Sequence, residues 1–115
     1  MESKAAVAAL AALAQESRLA IFRTLVQAGP EGLAAGKIGG RTGIAPSSLS
    51  FHLKELSTAG LVSSAPDGRF VIYTANFSAM NDVLAFLTEN CCGGNPCRPI
   101  LSPRSPITRK RSTSA

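Results

Sequence analysis

Residues 44–56 of this 115-residue chain read Ile44-Ala-Pro-Ser-Ser-Leu-Ser-Phe-His-Leu-Lys-Glu-Leu56. Pro46 sits where a helix begins, because its missing N–H costs nothing at the first helical position. Leu49, Leu53 and Leu56 recur at the spacing of one helix face, and mostly polar residues fill the other faces. The stretch therefore predicts an amphipathic helix with one side packed on a core and the other side facing outward.

A short helix is predicted before this one and a β-hairpin after it. Residues 34–42 predict the short helix, which Gly43 ends. Alternating or β-branched residues at 61–65 and 70–74 predict two strands, joined by a tight turn at residues 66–69. Together these elements predict a mainly α protein with a small β-hairpin, a winged helix-turn-helix whose second helix enters the major groove of DNA.

The remainder of the chain predicts three further helices and a tail. Residues 3–14 have high helix propensity, and Ser17 is predicted to cap the next helix. Asn76 is predicted to cap a last helix that fades at Asn90. The predicted organisation is a DNA-binding and dimerisation domain over residues 1–90, a cysteine segment over 91–97 and a basic, disordered tail over 98–115.

The net charge of +5 is unevenly distributed. Residues 1–97 hold seven basic and seven acidic residues, whereas residues 98–115 hold five basic residues and no acid. DNA binding by residues 1–97 must therefore depend on where their charges lie. The chain has no apolar run long enough for a membrane span and no signal peptide, so we expect a cytoplasmic protein with reduced thiols.

The predicted recognition helix has the side chains that groove contact requires. Its first half must be small and polar, since bulky apolar groups would desolvate the groove, and Ser47, Ser48 and Ser50 meet that need. Lys54 follows one turn later, placed for a phosphate. Arg69, at the tip of the hairpin, can reach the DNA backbone or the adjacent minor groove.

Three segments resemble the ArsR family of metalloregulatory repressors. Residues 11–25 are similar to the family's opening Leu-Ala-x-x-x-Arg-Leu-x-Ile-Leu, and residues 44–56 to its recognition helix, Ser-x-x-x-x-His-Leu-x-x-Leu. Residues 59–62 and 67–73 are similar to its wing. The resemblance spans residues 5–90 and implies a DNA-binding repressor that senses a metal or metalloid.

The resemblance also bears on single residues of the recognition helix. Phe51 and His52 belong to the family's helix motif, which places both in the predicted DNA-facing set. His52 is the only histidine and has no partner ligand near the cysteines, so we do not expect it to bind metal. Ala45 departs from the family, which often has a serine N-cap there, and this weakens the start of the helix.

All three cysteines lie in the segment Cys91-Cys92-Gly-Gly-Asn-Pro-Cys97, directly after the last predicted helix. Thiolates favour thiophilic ions, while structural zinc and iron–sulfur clusters usually require four ligands. Trivalent arsenic or antimony takes three sulfurs in a pyramid. The sequence therefore predicts As(III) or Sb(III) as the inducer, bound by Cys91, Cys92 and Cys97.

Other readings of the cysteines stay open. Cd(II), Pb(II), Bi(III) or Cu(I) could be the sensed ion, the site could be shared between subunits, and the adjacent pair could be a redox pair or part of a zinc-stabilised tail. An arsenic-processing enzyme or thiol reductase would need a base beside the thiolate or a Cys-x-x-Cys pair. Neither is present, so no enzyme is predicted.

The first and last helices are predicted to pair across a two-fold axis and form a homodimer. Their apolar side chains supply the seam, namely Leu10, Phe77, Met80, Leu84 and Leu87. A dimer would set two recognition helices roughly 34 Å apart, one turn of DNA. The predicted partner is therefore a double-stranded operator with an inverted repeat.

Overall fold

The computed structural model describes residues 1–94, and these form five α-helices, a three-stranded sheet and a closing 3₁₀ turn. The helices are α1 Ser3–Leu13, α2 Glu16–Ala28, α3 Ala35–Thr42, α4 Pro46–Thr58 and α5 Phe77–Leu87. The strands are β1 Leu33–Ala34, β2 Val62–Asp67 and β3 Phe70–Ala75, and the 3₁₀ turn is Cys91–Gly94. The predicted fold class, mainly α with a small hairpin, is confirmed.

The turn between α3 and α4 is built from local chemistry. Gly43 ends α3 in the left-handed conformation, with φ 75°, which glycine adopts without a steric penalty. The Thr42 hydroxyl accepts a hydrogen bond from the Ile44 N–H at 3.4 Å. Helix α4 then begins at Pro46 as predicted, and Ala45 gives it no side-chain cap.

The predicted cap of α2 is wrong. Ser17 lies inside the first turn of the helix, and the N-cap is Gln15, which has extended backbone and accepts a hydrogen bond from the Arg18 N–H at 2.8 Å. Helices α1 and α2 meet at a bend of 100°. Within residues 1–94, no single helix has the length and apolarity to cross a membrane, and this bent pair alone would pass by length and composition.

The sheet has the order β1-β3-β2 with antiparallel pairing throughout. Strands β2 and β3 pair from Val62 opposite Ala75 to Asp67 opposite Phe70. The loop between them is therefore only Gly68-Arg69, and the predicted four-residue turn is too long. Pro66 and Asp67 still belong to the strand, so the tip of the hairpin is tighter than the sequence indicated.

Strand β1 was not predicted, because two residues are too few to show alternation. Leu33 pairs with Tyr73 and Ala34 with Ile72. Gly32 precedes the strand with φ 70°, and a Cβ there would collide with the carbonyl oxygen of Tyr73 and sit 2.7 Å from Thr74 Oγ1. Glycine at this position therefore allows the strand to approach β3.

The core lies between α2, α3, α4 and the start of the wing. Its most completely buried side chains are Ile21, Leu25, Ile38, Leu56 and Leu61. The predicted leucine stripe of α4 is buried along its whole length, with Leu49 at 4% and Leu53 at 2% exposure. In α1 the buried residues are the small ones, Ala6 and Ala9, while Leu13 is half-buried against the core and Val7 and Leu10 are exposed.

Asn76 caps α5, as predicted. Its Oδ1 accepts from the Ala79 N–H at 3.1 Å, and its Nδ2 donates to the Gly60 carbonyl at 3.0 Å. One side chain therefore caps α5 and ties it to the end of α4. The helix ends at Leu87, earlier than the predicted Asn90, and the Thr88 hydroxyl donates to the carbonyl of its last turn at 2.9 Å.

Gly32→Ala should destabilise the fold by at least about 1–3 kcal/mol, because alanine at positive φ is strained and its Cβ meets the backbone of β3. Gly36→Ala is the matched control: its Cβ meets nothing within 4 Å, and alanine in a helix should stabilise by roughly 0.5–1 kcal/mol. Urea unfolding of both variants measures the difference. Equal midpoints would contradict the close approach of β1 to β3.

Candidate nucleic-acid interface and thiol pair

Burial of the leucine stripe turns the polar side of α4 outward. The predicted DNA-facing residues of this helix that are exposed are Ser47, Ser48, Ser50, Phe51 and Lys54. Phe51, at 55% exposure, is the large apolar side chain on this surface. Hydroxyls, an ammonium group and an apolar ring are suited to base edges, phosphates and thymine methyl groups respectively.

The hairpin adds a second exposed element. Arg69 lies in the two-residue loop at its tip and is exposed, as predicted. Phe70 and Val71 follow it at 63% and 45% exposure, within the segment that resembles the family's wing. Helix α4 packs against β2, so the recognition helix and the wing are in direct contact.

Helix α3 carries two basic residues that the sequence analysis counted only as charge. Lys37 and Arg41 are both exposed, and Arg41 lies in the last turn of the helix. The first helix of a helix-turn-helix crosses the DNA backbone, where basic side chains meet phosphates. Their position in the first helix of the helix-turn-helix is the sequence feature that predicts both as phosphate contacts.

His52 occupies a different position from the rest of its helix face. Its ring is half-buried and meets the Phe51 ring edge-on, with the centroids 5.6 Å apart. Its Nδ1 lies 3.4 Å from Nη1 of Arg18, the arginine of the motif at residues 11–25, to which no role in the DNA-facing set was assigned. The predicted DNA-facing histidine is therefore also joined to the helix behind it.

The sulfurs of Cys91 and Cys92 lie 3.5 Å apart in the turn after α5. Cys91 is half-buried and Cys92 is exposed. Asn90 and Cys92 have φ of 57° and 58°, so two non-glycine residues of this segment adopt the left-handed conformation. Such strain concentrates at functional sites, and here it accompanies the convergence of two thiols.

The predicted third ligand, Cys97, lies outside the described residues. Within residues 1–94, no three His, Cys, Asp or Glu side chains come together closely enough to hold a metal ion. His52 belongs to α4. The described part of the chain therefore contributes a two-thiol arrangement.

An apolar groove of about 490 Å³ runs between α1, α2 and α5. Four residues of the predicted dimer seam line it, namely Leu10, Met80, Leu84 and Leu87. Phe77, the fifth, packs against the core. Arg23 and Gln27 of α2 supply the polar side chains among its lining residues.

Comparison with known proteins agrees with this architecture. A helix-turn-helix domain family matches residues 13–65. The HTH-type transcriptional regulator YgaV of Escherichia coli is 32% identical over 87 residues, which cover 76% of this chain and 86% of YgaV. YceK of Bacillus subtilis, an uncharacterised HTH-type transcriptional regulator, is 45% identical over 58 residues, half of this chain and 57% of its own length.

Among solved structures, an ArsR-like transcriptional regulator from Rhodococcus sp. RHA1 superimposes with a TM-score of 0.65 at 27% identity. The match covers 73% of this chain and 76% of that one. The surface of α4, the wing and these matches lead to one conclusion. The chain belongs to the ArsR family of winged helix-turn-helix transcriptional regulators.

Proposed function

We propose that this regulator is a repressor that leaves its operator when As(III) or Sb(III) binds the thiolates of Cys91, Cys92 and Cys97. The observation that carries the proposal is the 3.5 Å separation of the two described sulfurs. Bonds of about 2.3 Å to a soft ion allow two sulfurs to lie at most roughly 4.6 Å apart. The pair therefore already has the spacing of two ligands on one ion.

Three features favour an inducer that takes sulfur ligands. The chain has three cysteines and all are in this segment, so a site with four thiolates from one subunit is excluded. A soft ion prefers thiolate to the one carboxylate of α5, Asp82. Gly93 and Gly94 adopt φ of 67° and 93°, a freedom of the backbone that helps the chain return toward the pair.

On the DNA side, α4 enters the major groove and contacts bases with its serines and Phe51. His52 faces the DNA from the same helix, and Lys54 and Arg69 bind phosphates. The residues outside the tail carry equal numbers of basic and acidic side chains, so attraction to DNA must arise from these local positions. The five basic residues of the tail add sequence-independent attraction.

The homodimer is supported by the groove between α1, α2 and α5. Leu10 is 40% exposed and Leu87 is 57% exposed beside it. An apolar groove flanked by exposed leucines is suited to the same elements of a second copy, which a two-fold axis brings together. Two copies of α4 then face an inverted repeat in double-stranded DNA.

The ion releases DNA by favouring a different arrangement of the dimer. The thiol pair follows α5, whose residues line the groove, so an ion that draws the pair and Cys97 toward each other acts on the seam. Release requires that the ion bind the DNA-free protein more tightly than the DNA-bound protein. An ion with equal affinity for both forms would not change the DNA-binding equilibrium. A typical coupling of 1–3 kcal/mol gives about 5–150-fold weaker DNA binding.

Lys54→Gln and Arg69→Gln should each reduce the slope of log affinity against log salt by about one, because each removes one phosphate contact. Lys4→Gln, an exposed charge in the first turn of α1, is the matched control and should leave the slope unchanged. Fluorescence anisotropy on the tightest duplex selected from a randomised pool provides the measurement. Unchanged slopes in both variants would remove these residues from the interface.

Leu87→Glu should raise the dimer dissociation constant by about 100-fold or more, because an uncompensated carboxylate in an apolar contact costs about 3 kcal/mol or more. The single chain should stay folded, since Leu87 is already 57% exposed. Val71→Glu, at 45% exposure on the wing, is the control. Light scattering after gel filtration that finds the same mass for all three proteins would contradict the seam.

Arsenite should release the full-length protein from the selected duplex, and Cys91→Ser, Cys92→Ser and Cys97→Ser should each require at least about tenfold more arsenite, since each removes one sulfur ligand. Their DNA affinity without arsenite should match that of the unmodified chain. Parallel titrations with Sb(III), Cd(II), Pb(II), Bi(III) and Cu(I) rank the ions. Normal release of all three variants by arsenite would refute the site.

A further inference from the structure

A polar junction joins three helices at Arg18. Its Nε donates to the Ala12 carbonyl at 2.7 Å, and its Nη1 lies 3.4 Å from Nδ1 of His52. Ala12 belongs to the last turn of α1, whose carbonyls have no partner within their own helix. The Arg18 side chain therefore links the end of α1, through α2, to the recognition helix. We call these three residues the Arg18 junction.

The chemistry of the two side chains determines where the histidine carries its proton. A guanidinium group has five N–H donors and no acceptor. His52 can partner it only through an unprotonated Nδ1, which in a neutral ring leaves the proton on Nε2. Arg18 thus favours one tautomer, and the second nitrogen of the ring becomes a hydrogen-bond donor.

The position of His52 on α4 makes its Nε2–H suitable for donating a hydrogen bond to DNA. His52 follows Ser48 by four residues, so the two lie on neighbouring turns of the same side of α4. The ring meets exposed Phe51 edge-on, while Arg18 holds its Nδ1 edge. A phosphate oxygen accepts hydrogen bonds and cannot donate them, so an N–H at Nε2 suits DNA and a lone pair there would not.

We propose that Arg18 is a positioning residue for DNA binding: it holds His52 in the Nε2–H tautomer, from which His52 donates to a phosphate of the operator. This inference rests on the proposed DNA-binding function and adds to it a residue that does not itself touch DNA. Without Arg18, part of the His52 population carries its proton on Nδ1 and presents a lone pair to the phosphate.

The first experiment uses the free full-length protein, without DNA or ion. Nitrogen-15 NMR of the histidine ring at mildly alkaline pH distinguishes the two tautomers directly. We expect the Nε2–H form in the unmodified chain and in the control Lys4→Gln, and a mixture in Arg18→Gln. An Nδ1–H ring in the unmodified chain, or an unchanged single tautomer in Arg18→Gln, would overturn the proposal.

The second experiment measures affinity for the selected duplex. Arg18→Gln should weaken binding roughly 3- to 10-fold, the factor expected for one hydrogen bond. Arg18→Lys keeps the charge, but a single ammonium group does not reproduce the planar fork, so it should weaken binding similarly. Recovery of full affinity in Arg18→Lys would show that charge alone matters and would overturn the proposal.

Two substitutions of His52 distinguish the roles of its two ring nitrogens. A glutamine amide N–H₂ comes close to the position of Nε2, whereas an asparagine amide comes close to that of Nδ1. His52→Gln should bind nearly as well as the unmodified chain and His52→Asn should not. Arg18→Gln should have no further effect in the His52→Gln background. An equal loss in both backgrounds would mean that Arg18 acts independently of His52.

Thermal melting of every variant shows whether the fold is intact, and the NMR measurement remains valid even where DNA binding is weak. If the unmodified chain selects no duplex, the DNA-binding function fails while the tautomer result still stands. If the chain binds DNA but His52 shows no dependence on Arg18, the function stands and this inference fails.

Discussion

The structure depends on the burial of one apolar face of α4. Leu49, Leu53 and Leu56 are each less than 5% exposed, and full burial of a leucine side chain contributes about 1.5–3 kcal/mol. Three such residues at helical spacing fix the rotation of the helix about its axis. Ser47, Ser50 and Lys54 are exposed as a consequence of that packing. The surface offered to DNA is the face of α4 opposite to the one that packs on the core.

The elements that could be predicted are those specified by adjacent residues. Pro46 marked the start of α4, Gly43 the end of α3 and Asn76 the cap of α5, and each acts through its own backbone or side chain. The errors have the opposite character. Gln15, not Ser17, caps α2, because the helix begins at Glu16 directly after the bend of 100° that follows α1. Strand β1 exists only because β3 lies beside it.

In the candidate site, too, adjacent residues could be predicted and tertiary contacts could not. The sequence placed two cysteines side by side, but in a regular helix successive side chains point about 100° apart. Their sulfurs approach to 3.5 Å because α5 ends at Leu87 and residues 90 and 92 turn to positive φ. The Arg18 junction was out of reach for a related reason. Its two partners are 34 residues apart, and no local pattern relates them.

Helix α1 takes part in both the apolar groove and the Arg18 junction. It contacts α5, α2 and α4, and its last turn is held by Arg18 through the Ala12 carbonyl. Its fully buried side chains are the alanines Ala6 and Ala9, and Leu13 is half-buried against the core. Its exposed leucine, Leu10, lines the same groove as Leu84 and Leu87 of α5. The C-terminal end of α1 therefore lines the groove through Leu10 and is hydrogen-bonded through its Ala12 carbonyl to Arg18, which contacts the histidine of the recognition helix.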